Sequence, residues 1–263
     1  MPPKFCTSRQ QTKHKNKGAW LVLLGLAAGV CGCGGGGGSA SGPPDPPAQT
    51  PGQPLLQALN TQGAVRLMPL GDSNTWGQLV PGSYRTQLYQ KLAAEGVQAQ
   101  FVGSLSNGPD SLPSKANEGH SGWTISQIAG SADGWLKAAR PNVVLLMIGT
   151  NDVWLQQNPA EAPQRLGNLI DQITRDLPHS YLVVASVPPM ASVNNNSAVV
   201  VYNTAIPAIV AAHAASGEHV SYADIYDGVP AADLMDEAHY NADGYAKMAQ
   251  AWNNVLEGLT TKP

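Results

Sequence analysis

From about residue 64 onward, short apolar runs alternate with longer stretches of helical periodicity. Five of the runs, at 65–70, 99–104, 142–148, 181–187 and 219–225, read as strands. The third, NVVLLMI, has hardly a polar position, as expected of a central strand covered on both faces. Helices are predicted at about 83–95, 159–177, 197–215 and 242–258, with a shorter one after Thr124. In 159–177 the residues Ala162, Leu166, Leu169, Ile170, Ile173 and Leu177 recur at helical spacing, leaving Glu161, Arg165 and Asp171 to face water. Pro207 is expected to kink or interrupt the helix at 197–215. The alternation predicts an α/β domain, a three-layer sandwich whose five-stranded parallel sheet lies between two helical layers. No internal repeat is present. In such a sheet, chemistry belongs in the loops beyond the carboxyl ends of the strands.

The first fifty residues follow a different pattern. Residues 1–18 carry Lys4, Arg9, Lys13, Lys15 and Lys17 without an acidic residue, and an apolar run from Ala19 to Val30 follows. This basic, apolar, then small-residue order predicts an export signal over residues 1–33, and its apolar run is short for a membrane span. All three cysteines, Cys6, Cys31 and Cys33, fall here, so the predicted folded domain, 55–263, holds no disulfide. Val30-Cys31-Gly32-Cys33 resembles a bacterial lipobox with Cys33 as the lipidated residue. Simple secretion with cleavage nearby is also open, so the expected location is the cell envelope or the exterior. Residues 34–54, Gly-rich and then Pro-rich, read as a flexible tether.

The net charge of −3 is small and the basic residues of the domain form no stripe, which argues against nucleic acid as a partner. Any membrane association would come through an N-terminal lipid.

Four short blocks carry candidate chemistry. Gly71-Asp72-Ser73-Asn74-Thr75 follows the first strand; a nucleophilic serine needs an exposed Oγ on a tight turn, which a preceding glycine permits. The same five residues are compatible with an ordinary turn capped by Asp or Ser. Gly149-Thr150-Asn151-Asp152 follows the central strand, and the Asn151 amide can donate to a developing oxyanion or close an Asx turn. Gly119-His120-Ser121-Gly122-Trp123-Thr124 precedes a helix, and Gly122 offers an unobstructed N–H or is a plain turn glycine. Near the C-terminus, Asp236 and His239 stand three residues apart. Imidazole suits proton transfer around neutrality, and Asp236 can orient the ring; a helix-start pair has the same spacing. His120 reads as a loop-ordering residue rather than a second base, and His213 and His219 are assigned no role. All four blocks occur in loops on the same side of the predicted sheet, which turns alone do not explain.

GDSNT, the glycine of HSGWT, GTND and DEAH resemble the four blocks of the SGNH hydrolase superfamily, with its block residues at Ser73, Gly122, Asn151 and His239. RLMPLGDSNTWG, GSYRTQL, FVGS, EGHSGWTISQI, PNVVLLMIGTND, ASVPP, YNTAIPAIV and DGYAKMAQAW extend the likeness over about 64–257, and together they resemble carbohydrate esterase family three, typified by acetylxylan esterases. The resemblance implies a flavodoxin-like fold and an esterase domain. It implies Ser73, His239 and Asp236 as catalytic residues, and Ser73, Gly122 and Asn151 as oxyanion donors. It requires no metal or organic cofactor. The implied substrate is an acylated, chiefly acetylated, polysaccharide or oligosaccharide, or a small ester. Trp76, Trp123 and Trp154 stand within three residues of a block and are candidates for stacking on sugar rings, or for packing. Relatives usually carry Ile or a similar residue where Asn74 stands, and a DGxHPN-like run where this chain has Asp236-Glu237-Ala238-His239-Tyr240-Asn241. These departures point at acyl-pocket shape and substrate rather than at reaction class. A lipase or arylesterase of the same superfamily is an alternative, and so is a surface lipoprotein that binds glycan without cleaving it; the intact set of catalytic residues favours an enzyme.

Overall fold

The computed structural model describes residues 52–155 and 158–261. The export signal, the lipobox and residues 34–51 of the tether lie outside the described residues. Residues 52–54, assigned above to the tether's end, are already part of the fold: Gly52 donates its N–H to the Thr261 carbonyl at 2.9 Å, and Thr261 returns a bond to Gln53 at 2.9 Å. Pro54 and Thr260 form an antiparallel bridge.

In chain order the elements are α1 (Leu55–Asn60), β1 (Val65–Gly71), α2 (Ser73–Trp76), α3 (Ser83–Ala94), β2 (Ala99–Phe101), β3 (Leu105–Ser106), β4 (Ala116–Gly119), α4 (Ile125–Ala139), β5 (Val143–Met147), α5 (Thr150–Trp154), α6 (Ala162–Asp176), β6 (Tyr181–Ala185), α7 (Val193–Ala215), β7 (Val220–Ala223) and α8 (Ala242–Gly258). The sheet has seven strands in the order β3-β4-β1-β5-β6-β7, with β2 also paired to β1. All pairings are parallel except β3 with β4. The five predicted strands are present, and β3 and β4 are the correction to the expected five-stranded sheet. Both are short, and Leu-Ser and Ala-Asn-Glu-Gly carry too few apolar residues to register as strands.

Alternation along the buried strands builds the three layers. On β5, Val143, Leu145 and Met147 join a core with α1, α3 and α8. Val144, Leu146 and Ile148 join a second core with α4, α6 and α7. β1 carries Pro69 at the centre of the sheet, where a missing N–H ordinarily breaks a ladder. Here β2 pairs only with residues 65–67 and β4 only with 70–71. Leu67 and Gly71 direct their carbonyls to that side, towards Val102 and His120. Pro69, of the same parity, therefore faces the gap between the two strands.

Three helical expectations are revised. The helix after Thr124 is 15 residues long and opens with a capping box between Thr124 and Gln127; Gly130 and Gly134 had weakened its pattern. Helix α7 runs uninterrupted through Pro207. Arg165 does not simply face water, since its guanidinium is drawn in to Asp152 at 2.9 and 3.1 Å.

Candidate active site

The Gly71–Thr75 block sits where β1 ends. A Cβ at Gly71 would lie 2.1 Å from the Met147 carbonyl oxygen and 2.6 Å from Thr75 Oγ1, so only glycine allows β5 and the turn to close this tightly. Asp72 then caps α2, its Oδ1 accepting the Asn74 N–H at 3.0 Å. Ser73 opens the helix, and its Oγ lies 2.8 Å from His239 Nε2. His239 Nδ1 faces both Asp236 oxygens, at 2.9 and 2.8 Å. A carboxylate only accepts, so Nδ1 carries the ring proton, Nε2 is the acceptor, and Ser73 Oγ donates to it. Three residues separated by up to 166 positions thus form one hydrogen-bonded line.

The loop bearing Asp236 and His239 is held from several sides. Asp236 Oδ1 also accepts the N–H groups of Ala238 and His239, at 2.9 and 2.8 Å. Burial works upward on the Asp236 carboxyl, but these bonds and the His239 ring outweigh it and hold the group below the usual carboxylate range. Met235 donates to the His239 carbonyl at 2.8 Å. Glu237 ties the loop to the start of α7, accepting from Ser192 N at 3.1 Å and from Asn195 Nδ2 at 2.8 Å. The departure from the DGxHPN-like pattern is therefore occupied by a working tether, and the Tyr240 hydroxyl adds a bond to the Pro189 carbonyl.

Gly122 and Asn151 come from the loops after β4 and β5, the strands flanking β1 at its carboxyl end. Gly122 adopts φ +80, a left-handed conformation that glycine tolerates without strain. The Asn151 amide donates to the Trp123 carbonyl at 2.9 Å, joining the two loops and leaving its second hydrogen for another acceptor. Among the described residues, the N–H groups of Ser73 and Gly122 have no acceptor. Three donors at this end of the sheet are thus uncommitted.

The tryptophans part company. Trp76 is half-buried, and its carbonyl accepts from Asn107 Nδ2 at 2.7 Å and Arg85 Nη2 at 3.0 Å. Trp123 lies against His120 with centroids 4.3 Å apart, and Trp135 covers the same imidazole at 4.4 Å. Trp154, at the end of α5, is 39% exposed. His120 Nε2 donates to buried Glu118 at 2.9 Å.

Several supporting residues were not legible beforehand. Asp152 Oδ2 accepts the Ile125 N–H at 2.9 Å and so fastens α4 to the Asn151 block. Arg85, fully buried, donates to the carbonyls of Thr75, Trp76, Asn107 and Lys115 at 3.0 to 3.2 Å, and burial pulls its guanidinium down to about 10. It locks the end of the Ser73 turn. Asp152 stood inside the Gly149–Asp152 block without an assigned role, and Arg85, ten residues past Thr75, gave no local signal.

Asp72 is fully buried, and burial pushes its carboxyl up to about 6. The Asn74 N–H and the nearby Thr150 hydroxyl draw it the other way without cancelling the rise. A raised acid takes up a proton on folding between its ordinary 3.8 and about 6. Its cost to stability is therefore absent below 3.8 and complete above about 6. Two pKa units correspond to ~3 kcal/mol. Asp72→Asn keeps the cap and can donate to Thr150, so at pH 8 it should be more stable than the parent by up to ~3 kcal/mol, with the gain fading by pH 4. Urea melts of both proteins across that range check this; a gain independent of pH would count against the charge argument.

Known proteins resemble this chain over most of its described residues. The model of the GDSL-like lipase/acylhydrolase family matches residues 70–247. The multidomain esterase of Ruminococcus flavefaciens is 31% identical over 226 residues, covering 74% of this chain and 29% of its own length. This chain thus spans under a third of that relative. The family 3 carbohydrate esterase of Clostridium thermocellum superposes with a TM-score of 0.68 at 39% identity, covering 75% of this chain and 100% of that one. A family 3 carbohydrate esterase from Talaromyces cellulolyticus, 23% identical, shares the fold with a TM-score of 0.62 over 74% of this chain and 99% of that chain.

Proposed function

Because the chain belongs to the GDSL-like lipase/acylhydrolase family, we propose that it is a serine esterase that removes short acyl groups, acetyl foremost, from carbohydrate. The observation that carries this reading is the Ser73–His239–Asp236 line, with its 2.8 Å Oγ to Nε2 bond. Ser73 Oγ attacks the ester carbonyl as its proton passes to His239 Nε2, and Asp236 keeps the ring in the receptive tautomer and stabilises the imidazolium. The N–H groups of Ser73 and Gly122 and the Asn151 amide take the oxyanion. His239 then protonates the leaving alcohol. Water, deprotonated by His239, releases the acid from the acyl-enzyme and regenerates Ser73.

Carbohydrate as the alcohol is supported by the family 3 carbohydrate esterase of Clostridium thermocellum and by exposed Trp154, three residues after Asn151. An apolar ester is the second reading, supported by Leu79, Leu155 and Met235, each at least half exposed and within six residues of Ser73, Asn151 or Asp236. Hydrolysis of p-nitrophenyl acetate, butyrate and octanoate, followed by acetylated xylan, separates the two. We expect acetate to be favoured by ~10-fold or more in kcat/KM over octanoate, the scale one unsuited pocket contact produces. Octanoate hydrolysed as well as acetate would transfer the assignment to the apolar reading.

Export is part of the same proposal, resting on the order of residues 1–33. Mass spectrometry of the exported protein tests it: a lipid on Cys33 means an anchored enzyme, and a plain new N-terminus means a secreted one.

A further inference from the structure

Asn74 is a polar residue where relatives usually carry an apolar one, and it is 1% exposed. Its side chain is turned into the protein, and both ends of the amide are bonded. The amide nitrogen donates to the Ala238 carbonyl at 3.1 Å, and the amide oxygen accepts from the Tyr245 hydroxyl at 3.1 Å. The substitution therefore speaks less about acyl-pocket shape than the sequence suggested.

What it joins is specific. Asn74 follows Ser73 in α2, Ala238 precedes His239, and Tyr245 lies on α8. The N–H of Ala238 is already held by Asp236 Oδ1 at 2.9 Å. The residue before the imidazole is thus gripped at its N–H by the Asp236 carboxylate and at its carbonyl by the neighbour of the Ser73 hydroxyl. Tyr245 braces this neighbour from behind and reaches the Gln78 carbonyl at 3.4 Å as well. An apolar side chain at this place would leave the Ala238 carbonyl without its buried partner and the Tyr245 hydroxyl with only the 3.4 Å contact to Gln78. Such groups are costly to leave unpaired, and the loop would relax to satisfy them.

Resting on the reading of Ser73 as nucleophile, we infer that Asn74 is a positioning residue that sets the Ser73–His239 distance by fastening the histidine loop directly to the nucleophile turn. It acts through Ala238 and touches neither substrate nor proton. A displacement of a fraction of an ångström at a proton-transfer pair is enough to slow the chemical step, and ~1 Å costs about 100-fold. Binding of the ester is outside its reach.

The test compares Asn74→Asp, Asn74→Leu and Tyr245→Phe with the parent and with Ser73→Ala. Asn74→Asp is isosteric and keeps the acceptor for Tyr245, but it sets a charged oxygen against the Ala238 carbonyl in place of the donor, so it breaks that bond even where Asn74→Leu does not fold. Measured quantities are kcat and KM on p-nitrophenyl acetate, the rate constant for labelling of Ser73 by a fluorophosphonate, and the thermal midpoint. Folded Asn74→Asp and Asn74→Leu should lose ~10- to 100-fold in kcat with KM within ~2-fold, and labelling should slow in proportion. Tyr245→Phe, which keeps the Asn74–Ala238 bond, should lose no more than ~3-fold in kcat. Folded Asn74 variants with parental kcat and labelling rate would overturn the inference, as would a loss confined to KM, which would place Asn74 in the substrate pocket. Activity surviving in Ser73→Ala would instead overturn the nucleophile reading, and this inference with it.

Discussion

Ser73→Ala is expected to lower kcat on p-nitrophenyl acetate by ~10,000-fold or more, with the protein still folded. The expected size comes from serine hydrolases, in which loss of the nucleophile alone removes most of the catalysis and leaves only what the oxyanion donors and binding supply. Folding should survive because the residue is the first of α2 and its hydroxyl bonds only His239. Asp72 supplies the cap through its own side chain, so alanine at the next position removes no structural hydrogen bond. Circular dichroism and the thermal midpoint of the variant, measured beside the parent, provide the control. A folded variant with more than about a tenth of parental activity would remove Ser73 from the mechanism.

The second large effect is expected at Asp236. Asp236→Asn is nearly isosteric, yet it should reduce kcat by ~10,000-fold near neutral pH, the size recorded when a triad carboxylate becomes an amide. The backbone fixes how the new amide must sit. The N–H groups of Ala238 and His239 both point at Oδ1, at 2.9 and 2.8 Å, so the amide oxygen keeps that place, 2.9 Å from Nδ1, and the amide nitrogen takes the Oδ2 place, 2.8 Å from it. An NH2 group there favours the imidazole tautomer with its proton on Nε2. That nitrogen can no longer accept from Ser73. Because 42% of the Asp236 side chain is exposed, water competes for the ring, and the loss should fall short of the Ser73 variant's. Steady-state kinetics together with imidazole nitrogen chemical shifts check both halves of the argument. A variant with near-parental kcat would show that the carboxylate does not set the tautomer.

The parts of the molecule that could be read in advance are those whose physics is local. The run NVVLLMI announces a strand buried on both faces because each of its residues must find apolar company, and β5 does lie at the junction of the two cores. GDSNT and DEAH fix their own turns through Asp72 and Asp236, each accepting from backbone N–H groups two or three residues on. β4 was not readable, since Ala-Asn-Glu-Gly is a strand only because β1 offers it an edge beyond the end of β2. The same holds for Arg85, Asp152 and Asn74. Each is a polar residue whose role exists only once partners 10, 27 and 164 positions away have been delivered to it.

The pairing of residues 52–54 with 259–261 has a mechanical meaning. A chain pulled at residue 51 would load this antiparallel clip, and through it the end of α8, before it could draw on β1 and the Ser73 turn. It also leaves the two ends of the domain side by side. A domain closed in this way can be spliced into a longer polypeptide, or given new ends at another surface loop, while the route from β1 to Ser73 stays unbroken.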